Sequence, residues 1–264
     1  MNVAAGQFAV MPDWQSNLER CRLFISEAIA KGIDLLVLPE AIQARDNTDP
    51  SYSVRHGQAL DGPFVREMCR FTENCNLTLI FTIHIPGDAG RVTNSLLVLH
   101  RGLVTARYDK LHLYDAFNVQ ESSLVSPGQA VAPLIAVGDL MVGVMTCYDL
   151  RFPEQAMSLA LAGAHVLVVP AAWLKGENKV HHWQTLLAAR ALDTTCYIVA
   201  SGECGDKNIG MSQIIDPMGN VLACASDEPG VIVSELTLER VKQVRAQLPV
   251  LANRRFLPPT LGKS

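Results

Sequence analysis

The stretch LMVGVMTCYDLRFPE, residues 140–154, sets the terms for the whole chain. It begins as an apolar run of strand length, and it ends with Pro153 and Glu154, a pair suited to the first turn of a helix. Upstream, APLIAV and the turn Gly138-Asp139 make the run the return arm of a hairpin. Downstream, a helix over roughly residues 154–162 and the strand AHVLVVP follow. Strands that alternate with amphipathic helices build layered α/β folds.

The same alternation extends in both directions. Toward the N-terminus, VAAGQFA reads as a strand, and WQSNLERCRLFISEAIAK as a helix with Leu18, Cys21, Ile25, Ala28 and Ile29 on one face and Gly32 as its stop. IDLLVLPE is continuously apolar, the mark of a strand buried on both faces, and runs up to Glu40. GPFVREMCRFTENC predicts a second helix and LTLIFTIH another strand; NSLLVLH, Arg101-Gly102 and LVTARYDK predict a hairpin running into Lys110, so the sheet is mixed. Toward the C-terminus come a long helix over roughly 178–194, the strand CYIVASG, and a β segment SQIIDPMGNVLACAS turning at Pro217-Met218-Gly219-Asn220. The last segment, LPVLANRRFLPPTLGKS, is basic and proline-punctuated and suits a surface wrap or an oligomer contact.

At 264 residues, without repeats or a linker-like stretch, the chain reads as one domain over 1–264. Apolar residues make up 49% and the formal net charge is -4, with 22 Lys and Arg against 26 Asp and Glu, which argues against nucleic-acid and anionic-membrane partners. The start MNVAAGQFAV suits a first strand rather than a targeting peptide, so a cytoplasmic location is expected. Seven cysteines without a C-x-x-C pair suggest reduced thiols. Scattered histidines without H-x-x-x-H, and no phosphate-loop or dinucleotide glycine pattern, leave metal and nucleotide cofactors without a motif.

Three strands run into a chemically useful side chain: LLVLPE into Glu40, TARYDK into Lys110 and GVMTC into Cys147. Rigid strands place side chains while loops supply adjustable contacts, so strand ends are where α/β folds gather their sites. The long polar stretches 41–61 and 113–130 follow Glu40 and Lys110 and suit loops over such a site. A cysteine nucleophile needs a proton acceptor and benefits from a fixed cation, which a carboxylate and an ammonium supply without histidine. Taken singly, each residue has a plainer reading: a strand-end glutamate as a solvated loop residue or cap, a lysine as surface charge, a cysteine as a small hydrophobe. Spacing along the chain cannot bring the three together. Arg151 suits either a helix-surface charge or a clamp for a substrate carboxylate, and Trp173 either core or pocket wall. Of His181 and His182, at most one can face Cys147 from a helix.

LLVLPEA, YDKLHLYD and TCYDLRFPE resemble, in order and wording, the three signature segments of the nitrilase superfamily of carbon-nitrogen hydrolases, and the similarity runs from VAAGQFA to LPVLANRR. The resemblance implies a four-layer α-β-β-α sandwich of two mixed sheets. It implies Glu40 as general base, Lys110 as electrostatic partner of the tetrahedral intermediate and Cys147 as nucleophile. QESSLVSPG resembles the segment carrying a second active-site glutamate, matching Glu121. It favours Arg151 as the clamp, beside Trp173, with the backbone N–H of Tyr148 as oxyanion donor, no cofactor, and a homodimer built through helices near the nucleophile. With two carboxylates near one thiol, each is expected to raise the other's pKa, leaving Glu121 to hold a proton or to position Lys110.

Within the superfamily, CYDLRFPE resembles the branch of omega-amidases and of amidases acting on deaminated glutathione, and ALDTTCYIVASGECG and RAQLPVLANRR resemble the latter. That implies a small amide substrate with a carboxylate, cleaved to 2-oxoglutarate and cysteinylglycine through a thioester. The alternative within the branch is an omega-amidase acting on 2-oxoglutaramate or 2-oxosuccinamate. An alternative of another class is a redox sensor or scaffold whose Cys147 is an oxidisable thiol.

Overall fold

A computed structural model describes residues 1–262; positions 263 and 264, which close the C-terminal segment singled out above, lie outside the described residues. The strands of the two large sheets are β1 (Asn2–Gln7), β2 (Leu35–Val37), β3 (Thr78–Pro86), β4 (Val92–His100), β5 (Leu103–Asp109), β6 (Ile135–Val137), β7 (Leu140–Val144), β8 (Val166–Ala171), β9 (Tyr197–Gly202), β10 (Gln213–Ile215), β11 (Val221–Cys224) and β12 (Gly230–Glu235). The main helices are α1 (Trp14–Ala30), α2 (Pro63–Thr72), α3 (Pro153–Leu161), α4 (Lys179–Thr194) and α5 (Leu238–Gln247).

The first sheet runs β12-β1-β2-β3-β4-β5, with Val125–Ser126 added alongside β4, and the second runs β11-β10-β9-β8-β7-β6. Each has a parallel core, β1-β2-β3 in one and β7-β8-β9 in the other, flanked by antiparallel strands. The parallel strands are the continuously apolar ones, because helices cover one face and the other sheet covers the opposite face.

Three apolar clusters mark the layers. Cys21, Phe24 and Ile25 of α1 and Phe64 and Met68 of α2 pack on Leu36, Leu79, Phe81 and Leu97 of the first sheet. Val3, Val37, Ile80 and Val98 meet Val142, Val144, Val168 and Val199 between the two sheets. Leu159 of α3 and Trp183 and Leu187 of α4 pack on Leu167, Val169 and Ile198 outside the second sheet. The order is therefore α-β-β-α, as the motif resemblance implied.

Several expectations change in detail. The strand read as IDLLVLPE pairs only over Leu35–Val37; Leu38 still donates to the Ile80 carbonyl (2.8 Å), but Pro39 has no N–H to continue the ladder. The buried face of α1 runs through Asn17, Cys21, Phe24, Ile25 and Ala28, which leaves Ile29 43% exposed at its edge. The segment 41–61 forms a short helix at Tyr52–Arg55, and the segment 113–130 holds a small hairpin of Asp115–Ala116 with Val119–Gln120 and a turn of 3-10 helix at Glu121–Ser123. β12 and α5 were not anticipated: the strand pairs antiparallel with β1 and joins the first sheet, and the helix places Val241 in the core between the sheets.

Candidate active site

The parallel strands β2, β7 and β8 end at one edge of the sandwich, and β5, two antiparallel steps from β3, ends there too. Ligand sites of open α/β sheets gather at such carboxyl ends. Glu40, Lys110 and Cys147 follow β2, β5 and β7 within one to three residues, so the first two come from one sheet and the thiol from the other.

Glu40 sits where the chain leaves β2 and turns through Ala41 at φ 52°. Its carboxylate bridges the sheets: Oε2 accepts from the Ala172 N–H just beyond β8 (2.9 Å), and Oε1 accepts from Asn94 Nδ2 (2.7 Å) and Lys110 Nζ (3.0 Å). Lys110 is held by its backbone: its N–H donates to the Asn94 carbonyl (2.9 Å) and its carbonyl accepts from Gly128 N–H (2.8 Å). A Cβ on Gly128 would collide with the Asp109 carbonyl oxygen, so this close approach requires glycine. Lys110 Nζ also donates to Glu121 Oε2 (2.9 Å), which accepts from the Tyr114 N–H (2.6 Å) as well. Asn94 Nδ2 reaches Glu121 Oε1 at 3.3 Å, so one amide group spans both carboxylates.

Cys147 opens a turn of 3-10 helix over Cys147–Arg151 with φ 45°, a backbone conformation L residues seldom adopt and one that surrounding contacts must hold. Those contacts converge on Asp149. Its Oδ2 accepts from Thr146 N–H (2.9 Å) and Tyr108 OH (2.7 Å), and its Oδ1 from His112 N–H (3.0 Å) and His112 Nδ1 (2.8 Å). Gln155 Nε2 in turn donates to Tyr108 OH (2.8 Å). The elbow is thereby fastened to the end of β5 and to α3.

The charges settle one proton arrangement. Burial opposes ionisation of Glu40, but the Lys110 ammonium and the hydrogen bonds from Cys147 and Ala172 outweigh it and hold the carboxyl well below the usual carboxylate range. For Lys110, burial is overcome by Glu121 and Glu40, which keep it protonated. Burial and the negative charge of Glu40 push the Cys147 thiol up, against the pull of Lys110. The resting site thus holds a carboxylate, an ammonium and a neutral thiol. The expectation that neighbouring carboxylates would raise the Glu40 pKa fails because Lys110 lies between them and attracts both.

Behind Glu40, Arg45 donates to the Glu40 carbonyl (3.2 Å) and pairs with buried Glu203 (2.8 Å). Burial outweighs Arg45 and pushes the Glu203 carboxyl up to about 7.

At the mouth, Tyr148 stands edge-on between Tyr114 (centroids 5.0 Å) and Phe152 (5.3 Å). The Arg151 guanidinium lies 4.9 Å from the centre of Trp173, which is itself buried against Trp183 (5.2 Å); Trp173 is core on one side and wall on the other. His182 meets Arg151, with Nδ1 3.3 Å from Nη2, while His181 is exposed. The structure therefore gathers Glu40, Lys110, Glu121, Cys147, Tyr148, Arg151 and Trp173 at one end of the sandwich. Sequence reasoning gave no role to Asn94, Asp149 or Lys179. The Thr146-x-x-Asp149 spacing is a capping-box signal that marks the second; Asn94 and Lys179 carry no local signature. Among the described residues, no group of three or more His, Cys, Asp or Glu side chains is arranged to hold a metal ion, and no helix is long and apolar enough to cross a membrane.

Comparison with known proteins gives the family. The family model for carbon-nitrogen hydrolase matches residues 2–246. The chain is 56% identical over 261 residues to a protein of Escherichia coli O157:H7 named deaminated glutathione amidase, covering 99% of this chain and 100% of that one. A human protein of the same name is 33% identical over 271 residues, covering 96% and 82%. Among solved structures, a Saccharomyces cerevisiae protein described as a member of branch 10 of the nitrilase superfamily superposes with a TM-score of 0.86 at 27% identity, covering 97% of each chain.

Proposed function

The chain belongs to the carbon-nitrogen hydrolase family, and from that premise we propose that it is an amidase that cleaves deaminated glutathione through an acyl-cysteine intermediate. The observation that carries the reading is the convergence of Glu40, Lys110 and Cys147 from the two sheets, with Glu40 ion-paired to Lys110 (3.0 Å) and the Cys147 thiol close enough to feel both charges. The substrate rests on the 56% identical relative that bears that name.

In the proposed reaction, Glu40 accepts the Cys147 proton as the sulfur attacks the amide carbonyl carbon. The resulting oxyanion lies between the Lys110 ammonium and the backbone N–H of Tyr148. The carbon–nitrogen bond breaks as the Glu40 carboxyl returns the proton to the departing amine of cysteinylglycine, leaving a thioester. Glu40 then takes a proton from water, the hydroxide attacks the thioester, and collapse releases 2-oxoglutarate while the proton returns to sulfur. Glu121 and Asn94 position Lys110 and Glu40, and Arg151 binds the carboxylate of the 2-oxo acid.

The sensor alternative sits poorly with the electrostatics, because a thiol held neutral is a poor target for oxidants, which react with the thiolate. The omega-amidase alternative shares the same acyl group, so only the leaving group separates the two. A cytoplasmic homodimer belongs to the same proposal; the exposed Val180 and Leu192 of α4 suit a contact between copies.

Two measurements test the reading. Mass spectrometry of enzyme quenched early with deaminated glutathione should show a 2-oxoglutaryl adduct on Cys147, and its absence during turnover would remove the mechanism. A kcat/KM higher on 2-oxoglutaramate than on deaminated glutathione would replace the substrate.

A further inference from the structure

Lys179 opens α4, the end of a helix where a cation is disfavoured by the aligned peptide dipoles. The turn before it runs through Gly176 at φ 151° and Asn178 at φ 57°, and Trp173 Nε1 donates to the Lys179 carbonyl (3.0 Å), so the residue is firmly placed. Only 6% of it is exposed. Its ammonium donates to Tyr114 OH (2.8 Å) and lies 3.5 Å from the centre of the Phe117 ring. Among the described residues it has no carboxylate partner, and neither does Arg151, whose buried Nε also lacks a hydrogen-bond acceptor. Both residues meet Trp173, Arg151 over its ring and Lys179 through its carbonyl, and the Tyr114 that holds the Lys179 ammonium stands edge-on to Tyr148, the neighbour of Cys147; burial and the nearby Arg151 charge push the Lys179 pKa down.

Two neighbouring cations without an internal anion form a site that a ligand must complete. Resting on the substrate reading above, we propose that Lys179 determines specificity: its ammonium donates to the 2-oxo oxygen of the substrate, next to the carboxylate held by Arg151, and repels the 2-ammonium group of glutathione. The two molecules differ only at that carbon. An oxo oxygen accepts a hydrogen bond from an ammonium, whereas a second ammonium offers no acceptor and brings like charge against a lysine that is largely shielded from solvent. The excluded competitor is thus the unmodified tripeptide, and no other element of the cleft needs to recognise the difference.

The test compares wild type, K179M and K179R on deaminated glutathione and on glutathione, with 2-oxoglutaramate and glutamine as a second pair that differs in the same way. K179M should lose about 10- to 100-fold in kcat/KM on the 2-oxo substrates, mainly through KM, the range for a hydrogen bond to a charged group. Its preference for oxo over ammonium should fall by at least about tenfold, while K179R keeps most of it. A folded K179M with wild-type discrimination in both pairs, or a K179R that loses as much as K179M, would overturn the inference. Wild-type enzyme inactive on deaminated glutathione would overturn the substrate reading instead, and the second pair would still report on Lys179.

Discussion

Two cations at the sheet ends are treated in opposite ways. Lys110 is enclosed between two carboxylates that hold it charged, whereas Lys179 has only an aromatic ring and a phenol for company, with no carboxylate partner among the described residues. The first set is electrostatically complete before any ligand arrives, which in the proposed reaction suits it to bond-making on whatever is bound. The second is unfinished, which suits the ligand-reading role proposed for it. On these proposals, catalysis and selection are separated by whether the protein supplies the counter-charge.

The largest effects should come from breaking the complete half. C147A should lower kcat by roughly 10^4-fold or more and abolish the adduct in the mass spectrum. K110M should lower kcat by about 10^2- to 10^3-fold, and because it leaves the buried Glu40 carboxylate without its cation and facing the partly buried Glu121 it should also destabilise the fold by about 3–5 kcal/mol, read by denaturant titration. A more stable K110M would mean that the pair is not compensated as described.

The pH profile sharpens the same contrast. In the proposed reaction Glu40 acts ionised, and its folded pKa is depressed to about 2, so activity persists as pH falls through the ordinary carboxylate range, whereas the stability it contributes is complete above the unfolded pKa near 4.5 and is lost progressively as pH falls from there to about 2. The activity at pH 5 should lie within about twofold of that at pH 7, with the basic limb set far up by Lys110 and Cys147, both raised. N94A removes one donor to Glu40 and should move the acidic limb upward with a loss of roughly tenfold in kcat.

In the incomplete half, R151M should raise KM by about 10- to 100-fold with a smaller change in kcat, because it removes binding rather than chemistry. The smallest effect concerns neither half. Glu203 has a raised folded pKa near 7, so its contribution to stability declines as pH rises from about 4.5 to 7; E203Q lacks that decline and should gain on wild type across that interval in denaturant titrations.

The layers of the fold were legible because their causes are local. Continuous apolar runs such as IDLLVLPE and AHVLVVP announce strands covered on both faces, and the helices carry their own periodicity. β12 was not, since GVIVSE alternates at a partly exposed sheet edge and owes its place to pairing with β1. In the site, Glu40, Lys110 and Cys147 could be named from their motifs, but their meeting depends on two sheets docking, which no spacing encodes. Asn94 reads as the polar start of a strand, and Lys179 as a helix-surface lysine; their importance lies in neighbours distant in sequence. The Glu40 carboxylate was misjudged for the same reason, because the cation between the two acids enters only in three dimensions.

The bond from Ala172 N–H to Glu40 joins residues 132 positions apart. During synthesis the ribosome delivers the proton acceptor long before the strand that orients it, and the sulfur arrives between them. On the proposed mechanism, the centre draws on both halves of the sandwich and cannot be complete until residue 172 has been made and the two sheets have docked.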